Sequence, residues 1–217
     1  MLKLISTIIR WLTPPIFIIL INKFRQPTLG HNILFDGDDS LFKKALEGVN
    51  LYGEYGVGNS TNWVLNNTNA NVLAVDTCKF WVDKIIADNK LNNDRLAIKY
   101  VDLGETEAWG RPINFARHHL FDEYTDWIWK QPEKPTCILV DGRFRVCCFL
   151  STLKYAEENT LIIFDDYTDR PHYHLIEKYV DKIEVCGRQC LFIVPPREKI
   201  NFDDLDKDIV NFRYVMD

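Results

Sequence analysis

The sequence predicts an α/β fold: a Rossmann-like, doubly wound, mostly parallel sheet covered by helices. Three observations carry this. Five apolar segments that read as strands alternate with segments of helical periodicity. The first strand runs into a glycine turn, Glu54-Tyr55-Gly56-Val57-Gly58, that opens directly into a helix. Each of the five strands closes on an acid (Glu54, Asp76, Asp102, Asp141 and Asp166), at the edge where such sheets bind ligands. Two further segments, joined by Gly187-Arg188, predict an antiparallel C-terminal hairpin that completes a seven-stranded sheet.

The chain begins with its compositional outlier. Residues 1–25 hold no acid, four cations (Lys3, Arg10, Lys23, Arg25) and the run Ile16-Phe17-Ile18-Ile19-Leu20-Ile21. A membrane span needs about 20 nearly uninterrupted apolar residues. Arg10 and Pro14-Pro15 divide this stretch into shorter pieces, and no small-residue cleavage site follows. A short helix lying in a membrane interface is expected, with packing on the domain's own core or a true span as alternatives. A linker is expected over residues 26–39, where Pro27, Gly30 and Gly37 fall, and one domain over residues 40–217.

Asp38-Asp39-Ser40 predicts the cap of a first helix that Gly48 ends. The first strand runs into Tyr52, and Asn59, Ser60 and Thr61 offer capping side chains to the helix bearing Trp63, Val64 and Leu65. Asn71 to Val75 is the second strand, ending on Asp76. Phe80, Trp81, Val82, Ile85 and Ile86 repeat at helical spacing, and Arg95 to Val101 is the third strand. Residues 105–135 are irregular and rich in Trp, His and Pro. An insertion of this kind is expected either to touch substrate or to cover the sheet. Thr136 to Val140 is the fourth strand, followed by a helix from about Phe144 to Glu157. Leu161 to Phe164 is the fifth. Pro171 opens a helix to about Val180, Lys182–Cys186 and Gln189–Val194 form the hairpin, and the acidic tail from Lys199 shows only loose patterning.

With 217 residues and 47% hydrophobic content, the chain can bury a substantial core. A net charge of -5 with no basic block argues against a nucleic-acid partner. Four of the six cysteines lie in apolar runs, which predicts buried free thiols in a reducing, cytoplasmic compartment. Cys186 and Cys190 read as residues flanking the hairpin turn.

Glu54 is repulsive to a pyrophosphate and Thr61 stands where the third glycine of a dinucleotide fingerprint belongs, so the turn suits a cationic ligand better. Here the chain resembles the class I S-adenosylmethionine-dependent methyltransferases, whose first motif is matched by Glu54-Tyr55-Gly56-Val57-Gly58 over a likeness spanning about residues 40–195. The segments LVDGRFRV and IIFDDYTDRPHY further resemble bacterial methyltransferase-like proteins. The resemblance implies S-adenosylmethionine as cofactor, with Glu54, Gly56, Gly58, Ser60 and Thr61 in its cradle, Asp76 on the ribose and Asp102 near the adenine. It also implies the antiparallel last strand.

For transfer to a hydroxyl, a base or metal must help to remove the proton. Asp141, Asp166 and His172 are the catalytic candidates, with His174 close by. Asp141 and Asp166 resemble the pair of the metal-dependent O-methyltransferases, but Tyr167 stands where those place Asn, so a divalent metal is possible without being favoured. Arg143, Arg145 and Arg170, with Tyr167, are expected to bind an acceptor carboxylate or phosphate, or else to pair with the adjacent acids. His118 and His119 read as surface or packed residues. The expected function is O-methylation of a small-molecule or glycan hydroxyl, by a protein with peripheral membrane contact through residues 1–25. A non-catalytic scaffold on the same fold, or an NAD-type enzyme, is the alternative.

Overall fold

The computed structural model describes Leu34, Phe35 and residues 38–217. The expected interfacial helix over residues 1–25 and most of the linker lie outside the described residues. Among the described residues no helix is long and apolar enough to cross a membrane.

The sheet has seven strands: β1 (Leu51–Tyr55), β2 (Asn71–Asp76), β3 (Leu96–Tyr100), β4 (Cys137–Val140), β5 (Leu161–Phe164), β6 (Glu184–Cys186) and β7 (Gln189–Ile193). Their order is β3-β2-β1-β4-β5-β7-β6. The first five pair in parallel, and β7 is antiparallel to both of its neighbours. The six α-helices described are α1 (Ser40–Ala45), α2 (Asn59–Asn67), α3 (Lys79–Asp88), α4 (Phe121–Asp126), α5 (Arg145–Tyr155) and α6 (Phe202–Phe212).

Strand alternation divides the core between the two faces. In β4, Cys137 and Leu139 pack with α1, α2 and α3, whereas Ile138 and Val140 pack with α4, α5 and α6. The second face is the more aromatic: Phe149 of α5 lies between Phe164 and Phe192, with ring centroids 5.6 and 5.0 Å away. A fully buried ring of this kind contributes on the order of 3 kcal/mol.

The irregular insertion divides in two. Phe121, Tyr124, Ile128 and Trp129 join the core, where the Tyr55 hydroxyl donates to the Thr125 carbonyl (2.6 Å) and accepts from Trp129 Nε1 (2.8 Å). Trp109, Ile113 and Phe115 stay exposed.

Three expectations need correction. The tail after Lys199 is not loosely patterned but forms α6. Asn201 accepts the Asp204 N–H at its start, Asp203 and Asp204 sit at the favourable end of the helix dipole, and Leu205 and Ile209 bury one face. From Pro171 to Lys178 the chain is 3₁₀ rather than α-helical, because its buried residues, Tyr173 and Ile176, lie three apart and eclipse at that pitch. The N-cap of α2 is Gly58, which has no side chain to cap with; of the expected residues Thr61 does cap, its Oγ1 accepting the Gly58 N–H, while Ser60 turns its hydroxyl to Glu54.

Candidate functional site

Hydrogen bonds that continue the strand pairing bring the loops after β1, β2, β4 and β5 to one edge. Gly56 N–H donates to the Val75 carbonyl (2.9 Å), Asp141 N–H to Tyr55 (3.0 Å) and Asp165 N–H to Val140 (3.1 Å). The acids at the strand ends therefore share the carboxyl edge of the sheet, as their positions in the sequence predict.

Glu54 is wholly buried beneath the glycine turn. One carboxylate oxygen accepts from the Ser60 hydroxyl and the other from Thr61, while Thr61 Oγ1 accepts from Gly58 N–H at 3.0 Å. The acid thus clamps the first turn of α2 onto the end of β1. Burial pushes its pKa up to about 7, against the lowering effect of the two hydroxyls. Glu54, Ser60 and Thr61 accordingly shape the cradle from below. Gly56, at φ +91, packs on Gly142 of the β4 loop, whereas a Cβ on Gly58 would meet nothing within 4 Å. The turn is closed on one side and open on the other.

Asp76 is 7% exposed. Its Oδ2 accepts from Val57 N–H (2.7 Å) and its Oδ1 from Cys78 N–H (2.5 Å), which leaves each oxygen a further lone pair. Burial raises its pKa to about 6. Asp102 is exposed at the next loop. It accepts the Gly104 N–H (3.0 Å) and pairs with Arg117, both of which lower its pKa. The donor and acceptor types around the open side of Gly58 fit a nucleoside carrying a cationic group: a carboxylate at Asp76, free lone pairs, and no guanidinium in the turn.

The acids after β4 and β5 are differently placed. Asp141, Asp165 and Asp166 bring oxygens within 4.8 Å of one another. Arg145, buried in the first turn of α5, pairs with Asp141 (3.1 Å) and Asp166 (3.1 Å), and donates to the carbonyls of Gly142 (3.0 Å) and Asp165 (2.8 Å). Arg188 holds Asp165 at 2.7 Å and Asp166 at 3.2 Å, and Arg170 holds Asp166 at 2.6 Å. Three guanidiniums thus neutralise the three carboxylates, so this cluster does not fit a divalent ion, which needs ligands free of such partners. Asp141 has one ion-pair partner and a side chain 30% exposed. Burial and the nearby Asp165 carboxylate push its pKa well above the usual carboxylate range.

Several expected site residues are committed elsewhere. Arg145 has no donor left for an acceptor, and Tyr167 is buried with its hydroxyl donating to Glu177 at 2.8 Å. Arg170 spends its guanidinium on Asp166 and the Tyr173 hydroxyl. His172 is exposed and touches the Tyr173 ring, and His174 lies tilted against the Tyr167 ring with its Nε2 3.2 Å from the Tyr167 carbonyl. Arg143 differs: its Nε is buried without a hydrogen-bond partner. Arg188 and Asp217 enter the site from far along the chain, and no local pattern signalled either. The neighbouring Asp165-Asp166 pair was the one visible hint that a cation was needed.

No family model matches this sequence, and no curated protein matches it. Among solved structures, a methyltransferase-like protein from Silicibacter pomeroyi is 26% identical, with a TM-score of 0.71 over 81% of this chain and 92% of that one. Weaker likenesses include the O-methyltransferase TomG from Streptomyces achromogenes, 12% identical over 71% of this chain and 77% of that one, with a TM-score of 0.48. A methyltransferase from Geobacter sulfurreducens is 14% identical over 88% of this chain and 96% of that one, also with a TM-score of 0.48.

Proposed function

The chain belongs, by its fold, to the class I S-adenosylmethionine-dependent methyltransferase superfamily, and on that premise we propose that it methylates a hydroxyl of a small molecule or glycan. The observation that carries this reading is the Glu54 clamp, which holds the turn shut against Gly142 and open beyond Gly58, with Asp76 at the tip of the adjacent strand. Gly56, Gly58 and Asp76 would hold the cofactor, Asp102 would stand near the adenine, and Glu54, Ser60 and Thr61 would keep the turn in place. When bound, S-adenosylmethionine supplies a sulfonium methyl group open to in-line displacement.

Alignment of the acceptor does most of the work in such a transfer. Asp141 is the general base of this reading, because it is the carboxylate least encumbered by arginines and burial raises its pKa, which makes it the stronger base once deprotonated. Arg143 would orient an anionic acceptor. Asp166, Arg145 and Arg170 stiffen the wall around them. His172, at the surface, remains a second candidate for carrying the proton away.

Strand order speaks against the NAD-type alternative: the dinucleotide fold runs 3-2-1-4-5-6 in parallel, whereas here antiparallel β7 lies between β5 and β6. The scaffold reading keeps one observation in its favour, the heavy ion pairing of Asp165 and Asp166. Calorimetry with S-adenosylhomocysteine tests the cofactor reading. Binding that Asp76→Ala abolishes supports it; no binding, or tighter binding of NAD, sinks it. Binding without turnover across acceptors would favour the scaffold.

The free state of all six cysteines suits a cytoplasmic protein. Residues 1–25 would add peripheral membrane contact. Their removal should release the protein from liposomes, and an unchanged distribution would refute that contact.

A further inference from the structure

We propose that the segment after α6, residues 213–217, is a strap across the acceptor end of the site, with the Asp217 side chain seated where a carboxylate of the acceptor binds. The word acceptor rests on the methyltransferase reading above; the anion site does not.

After Phe212 the backbone turns, with Val215 N–H donating to the Phe212 carbonyl (3.1 Å), and runs back toward the carboxyl edge of the sheet. Arg213 pairs with Asp122 (2.8 Å), Arg111 Nε donates to the Met216 carbonyl (3.0 Å), and the Tyr214 ring lies 6.1 Å from that of Phe121. Asp217 Oδ1 then accepts the N–H of Arg145 at 3.2 Å. That residue opens α5, an 11-residue helix whose preceding residue, Phe144 at φ 53, provides no side-chain cap. A carboxylate from 72 positions away does the capping instead.

The seat is only half used. Asp217 Oδ2 is buried with no hydrogen-bond partner, and so is Nε of Arg143. Asp217 belongs to the charges that act on Arg143, yet the two form no ion pair within 4.0 Å. A residue serving simply as a helix cap gains nothing from an unspent oxygen, and the Arg143 Nε on which its charge acts is unspent as well. An untethered carboxylate could take the helix N–H groups and the Arg143 fork together. The Asp217 charge also acts on Tyr173 and Cys148, and neither donates to it. The strap is held by few contacts, the Arg213–Asp122 pair, the Arg111–Met216 bond and the packing of Met216 on the core, and these are what must break for it to lift.

The strap and the acceptor would then compete. With the strap seated nine-tenths of the time, a competing ligand loses about tenfold in apparent affinity, and releasing the strap restores it. The experiment uses the full chain with S-adenosylhomocysteine added, D-glucuronate as the carboxylate probe and D-glucose as its neutral control. Wild type, Asp217→Asn and Asp217→Ala are compared by calorimetry; Asn preserves the shape of the side chain should Ala disturb the fold. Both variants are expected to bind glucuronate about tenfold more tightly than wild type, with the Arg145 amide reporting the probe by chemical shift. Arg143→Ala in the Asp217→Asn background should cancel the gain. No gain in either variant, or an equal gain for glucose, overturns the proposal. If S-adenosylhomocysteine fails to bind while the glucuronate gain persists, the cofactor reading falls and the anion site stands.

Discussion

The backbones of Gly56 and Gly142 touch: a Cβ built on Gly56 would stand 2.8 Å from the Gly142 Cα, and one on Gly142 would stand 2.7 Å from the Gly56 nitrogen. The β1 and β4 loops are thereby pinned to each other. Gly56→Ala must overcome both this clash and a left-handed φ of +91, a cost of about 2–4 kcal/mol. Gly142→Ala should cost at least as much, since its Cβ would also collide with the Tyr124 hydroxyl. Gly58→Ala meets no neighbour, so its urea midpoint should stay near wild type while cofactor-product binding weakens. Equal midpoints for all three variants would show that the loops are not pinned.

The buried acids make stability depend on pH. An acid whose pKa is raised by folding holds its proton more tightly in the folded chain. Its favourable contribution is therefore complete below the unfolded pKa and is lost as pH rises through the folded one. Glu54 shifts from 4.5 to about 7, and Asp76 from 3.8 to about 6. Stability should fall between about pH 4 and pH 7, with Glu54 alone accounting for on the order of 3 kcal/mol. Urea titrations across that range should give a shallower slope for Glu54→Gln. Parallel curves for variant and wild type would mean that folding does not shift the Glu54 pKa.

What could be read beforehand divides along sequence distance. The strands, the glycine turn and the acids at the carboxyl edge follow from local periodicity and from single residues at strand ends, and β1, β2, β4 and β5 fall where the pattern places them. The hairpin at Gly187-Arg188 was equally local. Helix α6 was obscured because five acids among residues 203–208 and 217 dominate the tail's composition, although Leu205 and Ile209 sit one turn apart. The arginine network was out of reach for a different reason. Whether Arg145 serves an acceptor or Asp166 depends on a partner 21 positions away, and Arg188 reaches Asp165 across 23. Burial then decides the matter, since a desolvated carboxylate takes the nearest guanidinium.

That network predicts how the protein responds to metal. Arg188 caps a fully buried Asp165, and removing it leaves an uncompensated charge. Arg188→Ala should cost about 3–5 kcal/mol. A chelator should leave the melting temperature of the wild type unchanged, and millimolar magnesium should not raise it. A resident ion held at 1,000 times its dissociation constant would instead contribute about 4 kcal/mol. A clear rise in melting temperature with magnesium would restore the metal reading of Asp141 and Asp166.

Asp141 offers the sharpest test of the chemistry. Its carboxyl lies between one guanidinium and the Asp165 carboxylate, and burial raises its pKa well above the ordinary range. A base must be deprotonated to act, so turnover of a hydroxyl acceptor should fall as pH drops through that raised pKa. Asp141→Asn removes the base while keeping an oxygen for Arg145. It should lower kcat by about 10²–10⁴-fold, flatten the acidic limb of the profile and leave S-adenosylhomocysteine affinity unchanged. Asp166→Asn, which touches the arginine wall, should reduce stability and keep the limb. If Asp141→Asn retains both its rate and its limb, the proton leaves by another group, and exposed His172 becomes the next residue to replace.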